Sequence, residues 1–426
     1  MTTENGKTSG YINGDEVNLV SSDGSLGLAN DGLRVKNTGV LSADAEKGNI
    51  YLSGKDAGTL TLANVKGKDE FVLTSEGTVK AGREAADGVT AVDSQIKTAR
   101  KVTLDAAGSI DLAKGSLTTD TLALKAGGHI SQSAGHAITA PTVSLDTVSG
   151  IDLKSGAELD NQKVFNDFQN VTVKNGSDAT DVTIGSGGSQ DLTVSFTDGS
   201  KAQNVTVRNY KNGAVNNLTV NGPVTVAEGI SLVNDEADLK TTGTLTVGSG
   251  RLHEQAAGAL ENEDSLTGDD IILNSTKGMI NKSLIATHKV ELTAANDILN
   301  QGIVQAGTSV SMKSDTGSIT NKGDVEAKGG DVTMDAKTDL HNQGVVKASQ
   351  DVGLTSGQSM ATAERGSDRW TEPEDESRHD ADQRRRPDRY QRFHRTDSPE
   401  GYSVRTAMPR RAAASPWTTS RTALLS

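Results

Sequence analysis

The sequence predicts an all-β protein, a parallel β-helix with coils of about 20–21 residues and a disordered carboxy-terminal tail. First, a short phrase recurs at a constant spacing, as DILNQGIVQAG (297–307), SITNKGDVEAK (318–328) and DLHNQGVVKAS (339–349). Second, an alternating apolar run precedes each copy. Third, only 34% of residues are hydrophobic and 3% aromatic, whereas Gly accounts for 46 of 426 residues. That composition is poor for a globular core but is sufficient for the narrow core of a solenoid.

The repeated phrase predicts a corner of the coil and the short strands beside it. Its copies align without gaps, so that Asn300, Asn321 and Asn342 coincide and each is followed two residues later by Gly. Stacked identical residues form side-chain ladders in cross-β arrays, so the asparagines are predicted to bond amide to amide along the stack. Ligand binding by these asparagines is the alternative.

The runs before each phrase predict one strand per coil. KVELTA (289–294), SVSMKS (309–314), DVTMDA (331–336) and DVGLTS (351–356) each place two apolar residues on one face with polar residues between them. Alternation with a period of two indicates a half-buried strand, and the 3.6-residue period of an amphipathic helix is absent. The LxxLxLxxN consensus of leucine-rich repeats, which have a similar period, is absent too.

This pattern divides the chain into four predicted segments. Residues 1–159 and 266–358 are predicted to be β-helix repeats, the second of them the more regular. Residues 160–265 contain apolar triplets such as VTV at closer spacing, so they are predicted to be an irregular β-rich segment that continues the solenoid. A separate inserted β-sandwich is the alternative for this segment.

Residues 359–426 form the predicted disordered tail. No lysine follows Lys347, while both tryptophans and the run RHDADQRRRPDRYQRFHR (378–395) lie in this tail. Such a charged, aperiodic composition cannot bury enough apolar surface to fold. The abrupt change within a coil suggests a frameshift in the coding DNA; the alternative is a basic arm for nucleic acid or an acidic partner.

No catalytic, cofactor-binding or metal-binding residue is predicted, and no cofactor. His129 and His136 are seven residues apart without a nearby carboxylate or cysteine ligand, which is not a metal-site spacing. The formal net charge of −13 argues against nucleic acid as a partner of the chain. The chain has no cysteine, no apolar run long enough to span a membrane and no signal peptide at its amino terminus.

The coils KVELTAANDILNQGIVQAG and GDVTMDAKTDLHNQGVVKAS resemble the repeats of filamentous haemagglutinin and related large haemagglutination-activity exoproteins. The stretch GSLGLANDGLRVKNTGVLSADAEKGNIYLSG is similar to these exoproteins as well. The resemblance implies a right-handed parallel β-helix and export by two-partner secretion through an outer-membrane transporter. The family's amino-terminal secretion domain, with its Asn-Pro-Asn signature, is absent, so we expect this chain to be an internal fragment.

The expected function is structural and adhesive, not enzymatic: a rigid rod in a large secreted bacterial surface exoprotein. Expected partners are glycans or proteins on host or neighbouring cells and the outer-membrane transporter of the full-length protein, with end-to-end self-association of the rod. The expected location is the cell surface or the medium, although export signals are absent from the fragment. A polysaccharide-active β-helix enzyme and a non-adhesive stalk for a missing tip domain are the alternatives.

Overall fold

The chain folds as a parallel β-solenoid of about 16 turns. The structure is a computed structural model that describes residues 3–4, 7–8, 10–36, 39–55, 58–85, 90–112, 114–132, 136–154, 157–159, 162–362 and 402–406. Within these residues it contains strands and turns and no helix. The predicted all-β, parallel solenoid is therefore confirmed.

The strands follow one another along the chain with short connections. The first fifteen are β1 (Thr3–Glu4), β2 (Lys7–Thr8), β3 (Ile12–Asn13), β4 (Glu16–Val20), β5 (Leu33–Lys36), β6 (Val40–Ala45), β7 (Ile50–Gly54), β8 (Thr59–Gly67), β9 (Glu70–Ser75), β10 (Thr78–Ala81), β11 (Ser94–Lys97), β12 (Lys101–Ala106), β13 (Ile110–Leu112), β14 (Gly115–Thr118) and β15 (Thr121–Ala126). The middle strands are β16 (Ile130–Gln132), β17 (Ile138–Thr147), β18 (Ile151–Leu153), β19 (Ala157–Leu159), β20 (Gln162–Val164), β21 (Asp167–Asn175), β22 (Val182–Ser186), β23 (Leu192–Phe196), β24 (Lys201–Asn209), β25 (Leu218–Asn221), β26 (Val224–Asn234), β27 (Leu239–Thr242), β28 (Leu245–Val247), β29 (Arg251–Ala256) and β30 (Leu260–Asn262).

The remaining strands include the regular coils and one strand in the tail. They are β31 (Ser265–Ser275), β32 (Met279–Asn281), β33 (Ser283–Ala294), β34 (Ile298–Asn300), β35 (Val304–Ala306), β36 (Ser309–Ser314), β37 (Ile319–Asn321), β38 (Val325–Ala327), β39 (Val332–Ala336), β40 (Leu340–Asn342), β41 (Val346–Ala348), β42 (Val352–Ser356), β43 (Met360–Thr362) and β44 (Tyr402–Thr406).

One regular coil consists of three strands, and each strand pairs in parallel with its equivalent in the next coil. In the coil made of β36, β37 and β38, these strands pair with β39, β40 and β41 respectively. The regular coils therefore form three parallel ladders, which we call the β36, β37 and β38 ladders. Longer strands bend around a corner and join two of them: β26, for example, pairs with both β28 and β29.

The core is one continuous column of apolar side chains. Strands alternate buried and less buried residues, as in the six-residue pattern of β12 and β15. Because the ladders are in register, like residues stack: Leu104 pairs with Leu124, and Leu124 with Leu145. Phe71 and Phe168 are the largest of the fully buried side chains. Burial of this apolar surface is the main force that stabilises the solenoid.

From β21 onwards the segment 160–265 belongs to the same solenoid and not to a separate sandwich, while β20 pairs antiparallel with β19 in a small sheet of its own. The parallel pairing runs from β17 to β21, from β21 to β23 and on through β25, β27 and β30. The apolar triplets lie inside strands that are mostly longer than three residues; β24, for instance, spans nine residues. The irregularity of the sequence here reflects variable turns between strands.

The parallel pairing ends at β43, which pairs with β40, whereas the predicted boundary of the repeats lay at 358. Most of the tail, residues 363–401 and 407–426, lies outside the described residues, and so does its predicted disorder. The one tail strand that is described, β44, pairs antiparallel with β42 and so covers one edge of the last coil.

Candidate binding surface

The inward face of the β37 ladder carries a row of buried asparagines. Asn262, Asn281, Asn300, Asn321 and Asn342 are at most 9% exposed. Each Nδ2 atom donates to the Oδ1 atom of the next asparagine, at 3.0, 2.8, 2.7 and 2.7 Å in chain order. The predicted amide ladder is therefore confirmed for Asn300, Asn321 and Asn342. Because these amides are buried and hydrogen-bonded to one another, they are structural groups.

The glycines of the repeated phrase let neighbouring corners approach closely. A Cβ atom built on Gly323 would lie 1.8 Å from the carbonyl oxygen of Gly302, and one on Gly344 would lie 1.7 Å from that of Gly323. No side chain fits such a space, so glycine is required where these corners stack.

His129 and His136, the two histidines considered from the sequence, have different hydrogen-bond partners. His129 Nδ1 is 3.3 Å from Ser109 Oγ, and the backbone oxygen of His136 accepts from Gln132 Nε2 at 2.5 Å. In the described part of the chain, no group of three or more His, Cys, Asp or Glu side chains is arranged to hold a metal ion.

A long groove edged by charged side chains runs along the outside of the β37 ladder. It has a volume of about 570 Å³ and crosses six stacked strands, β7, β9, β12, β15, β17 and β21. We call it the charged groove; its lining residues are Ser53, Gly54, Lys55, Thr74, Ser75, Glu76, Asp105, Ala106, Ala107, Lys125, Ala126, Gly127, Asp146, Thr147, Val148 and Lys174. Small residues form its floor because a Cβ atom on Gly127 would lie 2.2 Å from the carbonyl oxygen of Ala107.

Ion pairs between neighbouring coils line the charged groove. Lys55 Nζ lies 3.1 Å from Glu76, Lys125 Nζ lies 3.2 Å from Asp105, and Lys174 Nζ lies 3.1 Å from Asp146. Asp105, Lys125, Asp146 and Lys174 occupy one register position in successive strands, so charge alternates along the solenoid axis. Three lysines face three carboxylates, so the groove carries no net charge.

A second, smaller pocket of about 250 Å³ adjoins the charged groove and shares Ser53, Lys55 and Thr74 with it. We call it the Tyr51 pocket. Its other lining residues are Ala29, Asn30, Asp31, Gly32, Arg34, Tyr51, Leu52 and Val72. It therefore adds an aromatic ring and a guanidinium to a wall that otherwise contains lysines and carboxylates.

The Tyr51 side chain is held in place by two hydrogen bonds. Its hydroxyl accepts from Asn49 Nδ2 at 3.0 Å and donates to Glu70 at 3.1 Å. Burial is the main cause that raises the pKa of Tyr51, so the phenol stays neutral near pH 7. Arg34 lies 3.8 Å from Asp31 on the same pocket wall. The ring and these polar groups can together offer stacking and hydrogen bonds to a ligand.

Sequence reasoning did not find the charged groove. The sequence does contain a signal for this groove. Asp105 precedes the corner Ala-Ala-Gly, Lys125 precedes Ala-Gly-Gly and Asp146 precedes Thr-Val-Ser, so the charge before the corner alternates in sign from coil to coil. Aligning coils by outward residues as well as inward ones would have shown this row.

Comparisons of the chain with protein-family models, with curated proteins and with solved structures find no match. Among the described residues, no helix combines the length and the apolar character needed to cross a membrane.

Proposed function

We propose that the chain is a rigid, non-enzymatic segment of a large secreted bacterial surface exoprotein, and that it binds extended glycans along its side. The resemblance of its repeats to filamentous haemagglutinin-like exoproteins supports surface location and export through an outer-membrane transporter. The solenoid fold supports a role in reach and multivalent contact, since equivalent outward positions recur from coil to coil and many weak contacts can add up.

The charged groove is the observation on which the proposal rests. Its length across six strands suits a linear polymer and not a compact metabolite. Its balanced charge favours a neutral polar chain over a polyanion, because a polyanion needs an excess of lysine and arginine. Exposed ion pairs contribute little to stability, so ligand hydroxyl groups can replace their hydrogen bonds at small cost.

The test is binding of the full chain to an array of neutral and anionic glycans, with a Lys125→Ala/Lys174→Ala double variant. We expect a neutral glycan to bind with little dependence on salt, and the double variant to lose at least tenfold in affinity, or about 1.4 kcal/mol. Lys313→Ala is the control, because this lysine makes an exposed outward ion pair, at 2.6 Å from Asp315 of the same coil, on the β36 ladder and away from the groove.

Four outcomes would contradict the proposal. Equal losses in both variants would show that the groove is not the contact surface. Binding confined to anionic glycans, and abolished by salt, would show that the partner is a polyanion. A chain that binds no glycan and no cell surface would support the non-adhesive stalk, and release of oligosaccharides from a bound polysaccharide would support the enzyme.

A further inference from the structure

Glu254 lies inside the apolar column of the solenoid. It occupies the inward position of β29 at which the preceding coil has Leu232 and the following coil has Leu273. Its side chain is 0% exposed. Neither carboxyl oxygen makes a hydrogen bond of ordinary geometry with the described residues. An ionised carboxylate in such a place would lack both water and a counter-charge, which is costly.

The polar group that approaches the Glu254 carboxyl is the hydroxyl of Thr241. This residue is itself 0% exposed and pairs with Asn262, the first residue of the asparagine ladder. The Thr241 hydroxyl donates to Asn262 Oδ1 at 3.4 Å. Glu254 therefore lies at the head of a buried chain of hydrogen bonds that continues to Asn342.

Hydrogen bonds to the backbone fix the direction of this row of buried side-chain hydrogen bonds. The Nδ2 atoms of Asn300, Asn321 and Asn342 each also donate to a glycine carbonyl at 2.8 Å. At the other end, Asn262 Oδ1 accepts from the backbone N–H of Asp264 at 3.2 Å. The amide oxygens therefore point towards Thr241 and Glu254, and the amide N–H groups point away. A carboxylate would face the negative ends of these dipoles, whereas a neutral acid can donate a proton towards Thr241.

Among the residues that the structure describes, no charged side chain compensates for Glu254. β29 is paired with β26 on one side and with β31 on the other. β27 and β28 belong to the coil before it and β30 to its own coil, and the inward residues of all these strands are not titratable. The titratable residues of these strands, and of β29 itself, occupy the alternate or bulge positions and are at least partly exposed: Glu228, Lys240, Arg251, His253, Glu261, Asp269 and Asp270.

We propose that Glu254 is a buried proton-binding site, which holds a neutral carboxylic acid in the folded solenoid near pH 7 and loosens the coils around it when the proton is lost. The ligand of the site is the proton itself. The proposal is independent of glycan binding, because the charged groove lies on other coils.

The pKa of this group agrees with the geometry. Burial raises the pKa of Glu254 from 4.5 to about 8, and the Thr241 hydroxyl, which donates its proton to Asn262, is placed to accept from the neutral acid. A raised pKa means that the folded state holds a proton that the unfolded state has released. The associated stability is fully present below about pH 4.5, is lost as pH rises to about 8, and stays level above that value. Within this window the folded-to-unfolded ratio should fall up to tenfold per pH unit.

The test compares the full chain with Glu254→Gln and Glu254→Leu; the first keeps the shape without a charge, and the second continues the leucine column. Infrared spectra at pH 7 should show the carbonyl stretch of a buried protonated acid in the original chain and not in Glu254→Leu. Denaturant unfolding from pH 5 to 9 should show stability of the original chain falling relative to both variants. Hydrogen exchange of peptides from 239–275, corrected for intrinsic rates, should rise above pH 8 only in the original chain.

Glu261→Gln is the matched control, because Glu261 lies in the same coil but faces outward. It should leave the acid band and the pH dependence unchanged. Absence of the acid band in the original chain at pH 7, or an equal pH dependence in all of the chains, would overturn the proposal. If Glu254→Leu fails to fold, Glu254→Gln and the infrared spectrum of the original chain still decide between the two outcomes.

Discussion

The asparagine ladder satisfies its buried amides in two directions at once. Asn321 accepts from Asn300 through its Oδ1 atom and donates both to Asn342 and to the carbonyl of Gly323. A residue in the middle of the ladder therefore leaves several polar groups without partners when it is removed.

We expect Asn321→Ala to destabilise the solenoid by about 2–4 kcal/mol, because it leaves buried donors and acceptors unpaired on three residues at about 1–3 kcal/mol each, in part relieved by relaxation. The measurement is denaturant unfolding followed by circular dichroism. Thr320→Ala is the control, since Thr320 is the neighbouring outward residue of the same strand. A loss no larger than that of the control would mean that the ladder contributes little to stability.

Residues that recur from coil to coil could be predicted from the sequence, whereas a residue that departs from the repeat could not. Asn300, Asn321 and Asn342 could be predicted because three copies of one phrase align. Glu254 could not be found in the same way, because RLHEQA (251–256) lacks the second apolar residue of the alternating runs: Glu254 stands where the later runs have Leu292 and Met312. A polar residue in an apolar column is visible only once the register of the coils is known.

The strands of the three ladders are stabilised by columns of inward side chains, one from each coil. In β17, Leu145 is 1% exposed, and its strand is stacked between β15 and β21. Neighbouring coils hold it from both sides, so the space left by a smaller side chain cannot easily collapse.

Leu145→Ala should therefore cost about 2–5 kcal/mol of unfolding free energy, the range for buried leucine with a residual cavity. Ser144→Ala, which changes the adjacent exposed residue, should change it by less than about 0.5 kcal/mol. Thermal and denaturant unfolding of the two variants provide the measurement. Similar small effects in both would contradict a tightly packed column at this strand.

Strand positions were predictable to the extent that alternation is regular. The runs at 309–314 and 331–336 correspond to β36 and β39 almost residue for residue, and the run at 289–294 forms the second half of β33. Between 160 and 265 the triplets marked the centres of strands but not their lengths, because polar residues such as those of β24 extend the ladder without an apolar signal. The charged groove was missed for the same reason, since it is formed by outward residues.

The whole molecule is a stack, and its length follows from the number of coils. About 16 turns at a strand spacing of about 4.8 Å give a solenoid about 75 Å long. The fold class was predictable because the period, the alternation and the composition all indicated the same architecture. The partner was not, because the resemblance concerns the repeats and not a ligand.

We expect small-angle scattering of the chain to give an asymmetric distance distribution with a long tail, as a rod does, and circular dichroism to show strand without helix. Residues 1–362 without the tail should give the same cross-section. A symmetric distribution typical of a sphere would contradict the stacked architecture, and a helical spectrum would contradict the all-β fold.

The constant register of the β37 ladder also bears on how such chains change in length. Ile298, Ile319 and Leu340 are equivalent positions, and each pairs in the same parallel register with an apolar residue of the coil before and of the coil after. Loss or duplication of one 21-residue unit between them would join surfaces that already match. Unequal recombination within the gene could thus shorten or lengthen the rod by whole coils, while its cross-section and its side surfaces stay the same.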